Sequence, residues 1–204
     1  MQLTFIQGLE LLGTFAFAVS GATAAINKSY DIIGLLALAF VTAIGGGTIR
    51  DLLIGATPVA WLTDELTNSA IIAAAIIAAL FVSYVKKLQN WLNVFDAIGL
   101  GLFTITGINK GVAVGLPIPI CVALGVITGS FGGLLRDVIS GEQPFLFTRE
   151  VYAVASMAGG MLYILLGLHT SLPADIIQSV SVTVIVAVRL FGLHYNWHLP
   201  RIRQ

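Results

Sequence analysis

The sequence predicts an all-α membrane protein: seven transmembrane helices, made of two three-helix units in an inverted repeat plus a seventh helix. Three observations carry that prediction. Of 204 residues, 57% are hydrophobic and only 10% are charged, with a mean hydropathy of +0.97. A soluble domain carries about 25% charged residues; one of this size could not bury so much apolar surface, so lipid must be the solvent. Short polar breaks divide the chain into seven apolar segments. Finally, one motif occurs twice, 86 residues apart.

A spanning helix needs roughly 20 mostly apolar residues, and each segment meets that length. The first, about 3–25, starts at Met1-Gln2-Leu3 with no basic residue and carries Glu10, so it reads as a retained helix and not a signal peptide. The second, about 32–54, follows the polar turn Asn27-Lys28-Ser29 and ends in the repeated motif. The third, about 66–85, contains the alanine- and isoleucine-rich run Ile71 to Leu80, which faces lipid or another subunit rather than a pathway. The fourth, about 92–112, meets the fifth near Lys110-Gly111, and Pro117 and Pro119 keep the fifth, about 116–140, from starting earlier. The sixth, about 150–168, follows the polar stretch Glu142 to Arg149, and the seventh, about 174–194, follows His169 to Pro173. These connections leave no room for a soluble domain, so residues 1–204 form a single transmembrane domain.

The repeated motif is Gly45-Gly46-Gly47-Thr48-Ile49-Arg50-Asp51 with Gly55 and Pro58, returning as Phe131-Gly132-Gly133-Leu134-Leu135-Arg136-Asp137 with Gly141 and Pro144. At the same offset Glu10, Gly13, Phe17 and Gly21 become Asp96, Gly99, Phe103 and Gly107, and Asp64 maps onto Glu150. Repeat one therefore runs over about 3–85, repeat two over about 92–168, and the extra helix over about 174–194. Three is odd, so the second unit enters the membrane the opposite way from the first. With Arg50, Arg136 and Arg189 set aside because they lie within spans, Lys28, Lys86, Lys87, Arg149, Arg201 and Arg203 fall on one side and only Lys110 on the other. The positive-inside bias puts the C-terminus in the cytoplasm and the N-terminus outside. His194, Trp197 and His198 then sit at the inner interface.

A charged side chain at mid-membrane costs at least about 2.5–3.5 kcal/mol on insertion scales, so Glu10, Arg50, Asp51, Asp96, Arg136 and Asp137 require a reason. Neighbouring Arg and Asp on a helix point apart and do not readily pair. Depth instead predicts two cross-helix pairs, Glu10 with Arg50 and Asp96 with Arg136. Such pairs either pin helices together or line a pathway. The runs Gly45, Gly46, Gly47 and Gly132, Gly133 each cost about 1 kcal/mol per residue in a helix relative to Ala. They predict kinks or unwound turns whose freed carbonyls offer ligands to a monovalent cation, or whose helix N-termini face a carboxylate; the alternative is close helix packing by small residues. Gly8, Gly13, Gly21, Gly159 and Gly160 fit the packing role. Ser20 with Thr106, and Thr42 with Thr128, are candidate pore hydroxyls, although such groups more often bond their own helical carbonyls. Phe15, Phe17 and Phe103 read as packing or lipid contacts.

Several function classes are excluded. A net charge of zero argues against nucleic acid. The lone Cys121 permits no intrachain disulfide. There is no zinc-protease helix, phosphate loop or cysteine cluster, and His169, His194 and His198 are too far from acidic partners for a metal site. The sequence points to no enzyme, structural metal or cofactor.

The doubled Gly-Gly-x-x-Arg-Asp, with Pro58 and Trp61, resembles the prokaryotic trimeric intracellular cation (TRIC) channel family. The resemblance covers nearly the whole chain. It implies a homotrimer in the cell membrane with a pore in each subunit, lined by the glycine-kinked second and fifth helices. It also implies potassium-preferring conduction of monovalent cations, potassium or sodium. Phe131 replaces the first glycine in the second copy, so the two kinks need not be equal. The basic lipid-binding motif of animal members has no clear counterpart. The same sequence family is also labelled a glycine transporter family, which supplies the alternative of a secondary transporter for glycine or a similar small zwitterion. A structural scaffold without a permeant would leave the repeated glycine motifs unexplained.

Overall fold

The computed structural model describes residues 4–81, 91–148, 151–195 and 197. Its long helices are α1 (Phe5–Asn27), α2 (Ile32–Leu53), α3 (Glu65–Leu80), α4 (Trp91–Ala113), α5 (Ile118–Ile139), α6 (Val151–His169) and α7 (Ala174–His194). A 3₁₀ turn at Ala60–Leu62 and a one-turn helix at Phe145–Thr148 interrupt the loops. Every long helix other than α3 is long and apolar enough to cross a membrane. α3 has 16 described residues, and the end expected for it at 85 lies outside the described residues, as do Lys86, Lys87, Arg149, Glu150, His198, Arg201 and Arg203.

Local chemistry sets the boundaries. Thr4 and Gln7 form a capping box at the start of α1. Asp31 and Asp64 cap α2 and α3 by accepting from the backbone N–H groups of Gly34 and Leu66. Pro117 stands at the N-cap of α5, as its rigid φ dictates. The fourth helix runs past the boundary expected at Lys110-Gly111 as far as Ala113.

The repeated glycine after each motif has a definite task. Gly55 and Gly141 adopt φ of +70° and +69°, the left-handed region that terminates a helix. At the end of α2, the N–H groups of Gly55 and Ala56 donate to the carbonyls of Leu52 and Asp51. At the end of α5, Gly141 and Glu142 repeat this on Val138 and Asp137. Both motifs therefore end in the same Schellman turn, which reverses the chain immediately beyond the Arg-Asp pair.

Packing places α1, α2, α5 and α4 in a ring, each touching the next. α1 and α4 run antiparallel: Gly13 meets Leu102 and Phe103, while Gly99 meets Phe17. Phe17 and Phe103, 86 residues apart, lie with ring centroids 5.3 Å from each other inside the ring of helices. Phe17 is fully buried, and Phe15 packs against the same core. One apolar core joins α1, α2 and α3, and another joins α4, α5, α6 and α7 around Leu100, Ile108, Cys121 and Ile185. α3 packs mainly on α1, whereas its counterpart α6 packs mainly on α7 and α5. α7 occupies the flank of α4, so the two halves differ there.

Some expectations change. The run Ile71 to Leu80 is two-faced: Ile71, Ala74, Ala75 and Ala78 are buried, while Ile72, Ile76, Ile77 and Leu80 are exposed. Gly13, Gly21, Gly159 and Gly160 are packed against neighbouring helices, whereas a Cβ on Gly8 would meet nothing within 4 Å among the described residues.

Candidate functional site

Helix α2 is continuous through Gly45, Gly46 and Gly47, and α5 is continuous through Gly132 and Gly133. The unwound turns expected there are absent, and helical bonding leaves no freed run of carbonyls for an ion. The reason is close approach. A Cβ on Gly46 would fall within 1.9 Å of the Thr128 carbonyl oxygen, and one on Gly132 within 2.4 Å of the Thr42 carbonyl oxygen. Each glycine lets the backbone of its helix touch the partner backbone, and the two contacts are repeat equivalents. Small residues give up helix propensity here to bring α2 and α5 together.

At the end of each motif stands a charged cluster. Arg50 Nη1 donates to Glu10 Oε1 at 3.1 Å, and Arg136 Nη1 donates to Asp96 Oδ1 at 2.6 Å. Both cross-helix pairs thus form. The neighbouring residues also pair, contrary to expectation. Arg50 Nε donates to Asp51 Oδ1 at 2.9 Å, and Arg136 Nε donates to Asp137 Oδ1 at 2.8 Å. Divergent Cβ directions do not prevent this, because the long Arg stem curls round the helix and presents one edge of its guanidinium.

The second oxygen of each Asp reaches the following loop. Asp51 Oδ2 accepts from the Ala60 N–H at 3.0 Å, and Asp137 Oδ2 accepts from the Phe145 N–H at 2.9 Å. Each Arg-Asp pair therefore fastens the chain that leaves its helix back across the helix end. In the first half that loop delivers Trp61, whose indole N–H donates to Thr48 Oγ1 and whose ring meets Phe40 edge-on at 5.2 Å. In the second half it delivers Phe145, with the Arg136 guanidinium carbon 5.1 Å from its ring centre.

The two ends differ sharply in access. The Arg50 end opens into a cavity of about 510 Å³ lined by Glu10, Arg50, Asp51, Trp61 and Asp64, with Phe103 among its walls. The Glu10 side chain keeps 26% exposure. At the other end Arg136 and Asp96 are both 0% exposed. Tyr152 Oη donates to Asp96 Oδ1 at 3.3 Å, and Arg136 Nη1 also donates to Ser20 Oγ at 2.6 Å. The Arg189 guanidinium from α7 stands 4.6 Å from the Tyr152 ring centre and 5.7 Å from that of Phe145.

The candidate hydroxyls do not line this cavity. Ser20, Thr42, Thr106 and Thr128 are fully buried. Thr42 and Thr128 donate to the carbonyls of Leu38 and Leu124, each at 2.6 Å, and Thr106 donates to Phe103 at 3.3 Å. Ser20 alone enters a charged cluster. Sequence reasoning missed Phe145, Tyr152 and Arg189. Arg189 carried a usable signal, since an arginine within an apolar span calls for an explanation.

The glycine transporter family model matches residues 7–83 and 93–167, most of the chain in two successive segments. The chain belongs to the glycine transporter family. Among members of related sequence, the Bacillus subtilis (strain 168) UPF0126 membrane protein YvgT is 37% identical over 194 residues, with 94% of each chain covered. The Escherichia coli (strain K12) UPF0126 inner membrane protein YadS is 34% identical, covering 94% of this chain and 93% of that one. The fold also matches the crystal structure of the TRIC trimeric intracellular cation channel orthologue from Rhodobacter sphaeroides. That match has a TM-score of 0.89 and 33% identity, and covers 96% of this chain and all of the other. These relatives are membrane proteins and channels, not enzymes. This glycine transporter family chain thus has the fold of solved TRIC channels and, like them, is an all-helical membrane protein.

Proposed function

We propose that the protein is a monovalent cation channel, potassium-preferring and without a resident cofactor, acting in the inner membrane as a homotrimer with one pore per subunit. The observation that carries this reading is the whole-length likeness to the R. sphaeroides cation channel orthologue, at 33% identity and a TM-score of 0.89. Electrostatics support it. Glu10, Asp51, Asp64 and Glu65 line the cavity against the single guanidinium of Arg50, and an acidic cleft with apolar walls concentrates cations.

In this reading seven helices cross the membrane, and the two halves form an inverted repeat with repeat one over about 3–85 and repeat two over about 92–168. The antiparallel course of α1 and α4 supports that arrangement. The basic residues near the segment ends favour a cytoplasmic C-terminus and an external N-terminus. The ion path runs from the Glu10–Arg50 cavity past Phe17 and Phe103, inside the ring of α1, α2, α5 and α4, to the Asp96–Arg136 cluster. Asp96 Oδ2 is buried with no hydrogen-bond partner among the described residues, an acceptor suited to a partly hydrated cation. Helical carbonyls that stay within their ladder offer no tight cage, so selectivity among monovalent cations is modest. The Phe17–Phe103 contact and the buried second end make the described conformation non-conducting.

Potassium flux from proteoliposomes, measured beside radiolabelled glycine uptake in the same vesicles, tests the reading. Voltage-driven potassium release without saturable glycine uptake is expected. Saturable glycine uptake without potassium flux would overturn the channel in favour of a carrier.

A further inference from the structure

The two halves repeat each other through the Schellman turn, the Arg-Asp pair and the bond that fastens the following loop, yet one end is open and the other shut. The shut end holds Phe145 and Tyr152 where the open half has Val59 and Leu66, and it is also reached by an element outside the repeat. α7 has no counterpart in the first half, and from it Arg189 reaches the second end. Its guanidinium lies 4.6 Å from the Tyr152 ring centre and 5.7 Å from that of Phe145. Phe145 is therefore approached by two cations, since Arg136 stands 5.1 Å from its ring centre. Arg189 is 1% exposed and Tyr152 is 1% exposed, so these contacts are desolvated, the condition under which cation–π attraction is strongest. Tyr152 in turn donates to Asp96, the partner of Arg136.

We propose that Arg189 is a positioning residue that holds the second end closed, by clamping Phe145 and Tyr152 over the Asp96–Arg136 pair. The seventh helix then acts as a brace fitted to one end of an otherwise repeated structure. Shifting α7 along α4 and α6, the helices it mainly packs on, unlocks that end. Phe145 moves with its loop as the bond from its own N–H to Asp137 Oδ2 opens. The proposal rests on the channel reading for its consequence in conduction, but not for the clamp itself.

The test compares two backbone amides that serve as each other's control. Phe145 N–H and Ala60 N–H make the same bond to Asp137 and Asp51, and only the first lies under Arg189. In the purified full-length protein, Arg189→Leu should speed hydrogen–deuterium exchange about ten-fold in peptides covering residues 141–148, as expected from loss of a desolvated cation–π contact. Peptides covering residues 55–62 should exchange as before. Arg189→Lys, which keeps the charge, should fall between wild type and the Leu variant. In planar bilayers the Leu variant should spend a larger fraction of time open. Unchanged exchange at 141–148, or equal acceleration of both loops, would overturn the clamp and leave Arg189 a general packing residue. Should Arg189→Leu fail to fold, Phe145→Leu keeps an apolar side chain, removes the ring and should raise the open fraction; an unchanged open fraction would count against the clamp. Silence of wild type and variant alike in the bilayer would refute the channel reading, with the exchange result still deciding the clamp.

Discussion

Substituting alanine at two adjacent glycines separates packing from hinging. A Cβ on Gly46 would sit 1.9 Å from the Thr128 carbonyl oxygen and 2.9 Å from the carbonyl carbon. Both are backbone atoms of α5, which no rotamer change can move. Restoring even a tight contact of about 3 Å requires α2 and α5 to part by roughly 1 Å, an overpacking that costs about 1–3 kcal/mol. A Cβ on Gly47 would meet only the Arg50 Nη2 at 3.8 Å, an ordinary contact with a side chain. Each alanine gains about 1 kcal/mol of helix propensity, so that term cancels between the two variants. Gly46→Ala should therefore be about 1–3 kcal/mol less stable than Gly47→Ala. Gly47→Ala should match or exceed wild type. The assay is thermal unfolding of each variant in the same detergent, followed by single-channel recording of those that fold. Equal melting temperatures would refute the packing argument. Equal loss of current in two stable variants would restore the hinge.

Other outcomes follow from the same geometry. Arg136→Ala leaves Asp96 as an uncompensated charge in a fully buried site, where breaking a pair costs about 3–5 kcal/mol; Arg50→Ala, facing the half-open Glu10, should lower the melting temperature less. Thr128→Val keeps the shape and removes only a bond to the helix's own carbonyl, so conductance should stay within about two-fold of wild type, and a larger drop would reinstate a pore hydroxyl. Asp51→Asn should free the Ala60 turn and change exchange in residues 55–62 without touching residues 141–148, as peptide-resolved exchange would show. Lys28→Ala removes an ion pair with Glu142 whose side chains are 35% and 58% exposed, and such pairs contribute about 0–1 kcal/mol, so no melting shift beyond a degree or two is expected.

The sequence made much of this legible because the constraints were strong. Lipid as solvent forces long apolar helices, and α7 spans the 174–194 expected of it. The cross-helix pairs Glu10–Arg50 and Asp96–Arg136 followed from depth, since a buried charge needs a partner at its own level. Gly55 and Gly141 were visible as repeated residues, though their left-handed turn became explicit only with backbone angles. The choice between unwinding and packing at the glycine clusters was not legible, because sequence shows the propensity cost of a glycine but not what lies opposite it. The carbonyls of Thr128 and Thr42 decide the matter, and they belong to the other half of the molecule. The Arg50–Asp51 pairing was missed because a rule about Cβ directions says little about a long side chain at a helix end. Phe145 and Tyr152 carry no motif. Their contacts reach Asp137, Asp96 and Arg189, and the last stands on α7, the one helix the repeat does not predict.

Cation conduction is the central claim, and the reversal potential of the purified protein in a planar bilayer tests it most directly. Under a gradient of potassium chloride, discrete unitary currents should reverse close to the potassium equilibrium potential, and replacing potassium by sodium should shift the reversal only modestly. Reversal near the chloride potential, or a membrane that stays silent while the same preparation accumulates glycine, would contradict the account.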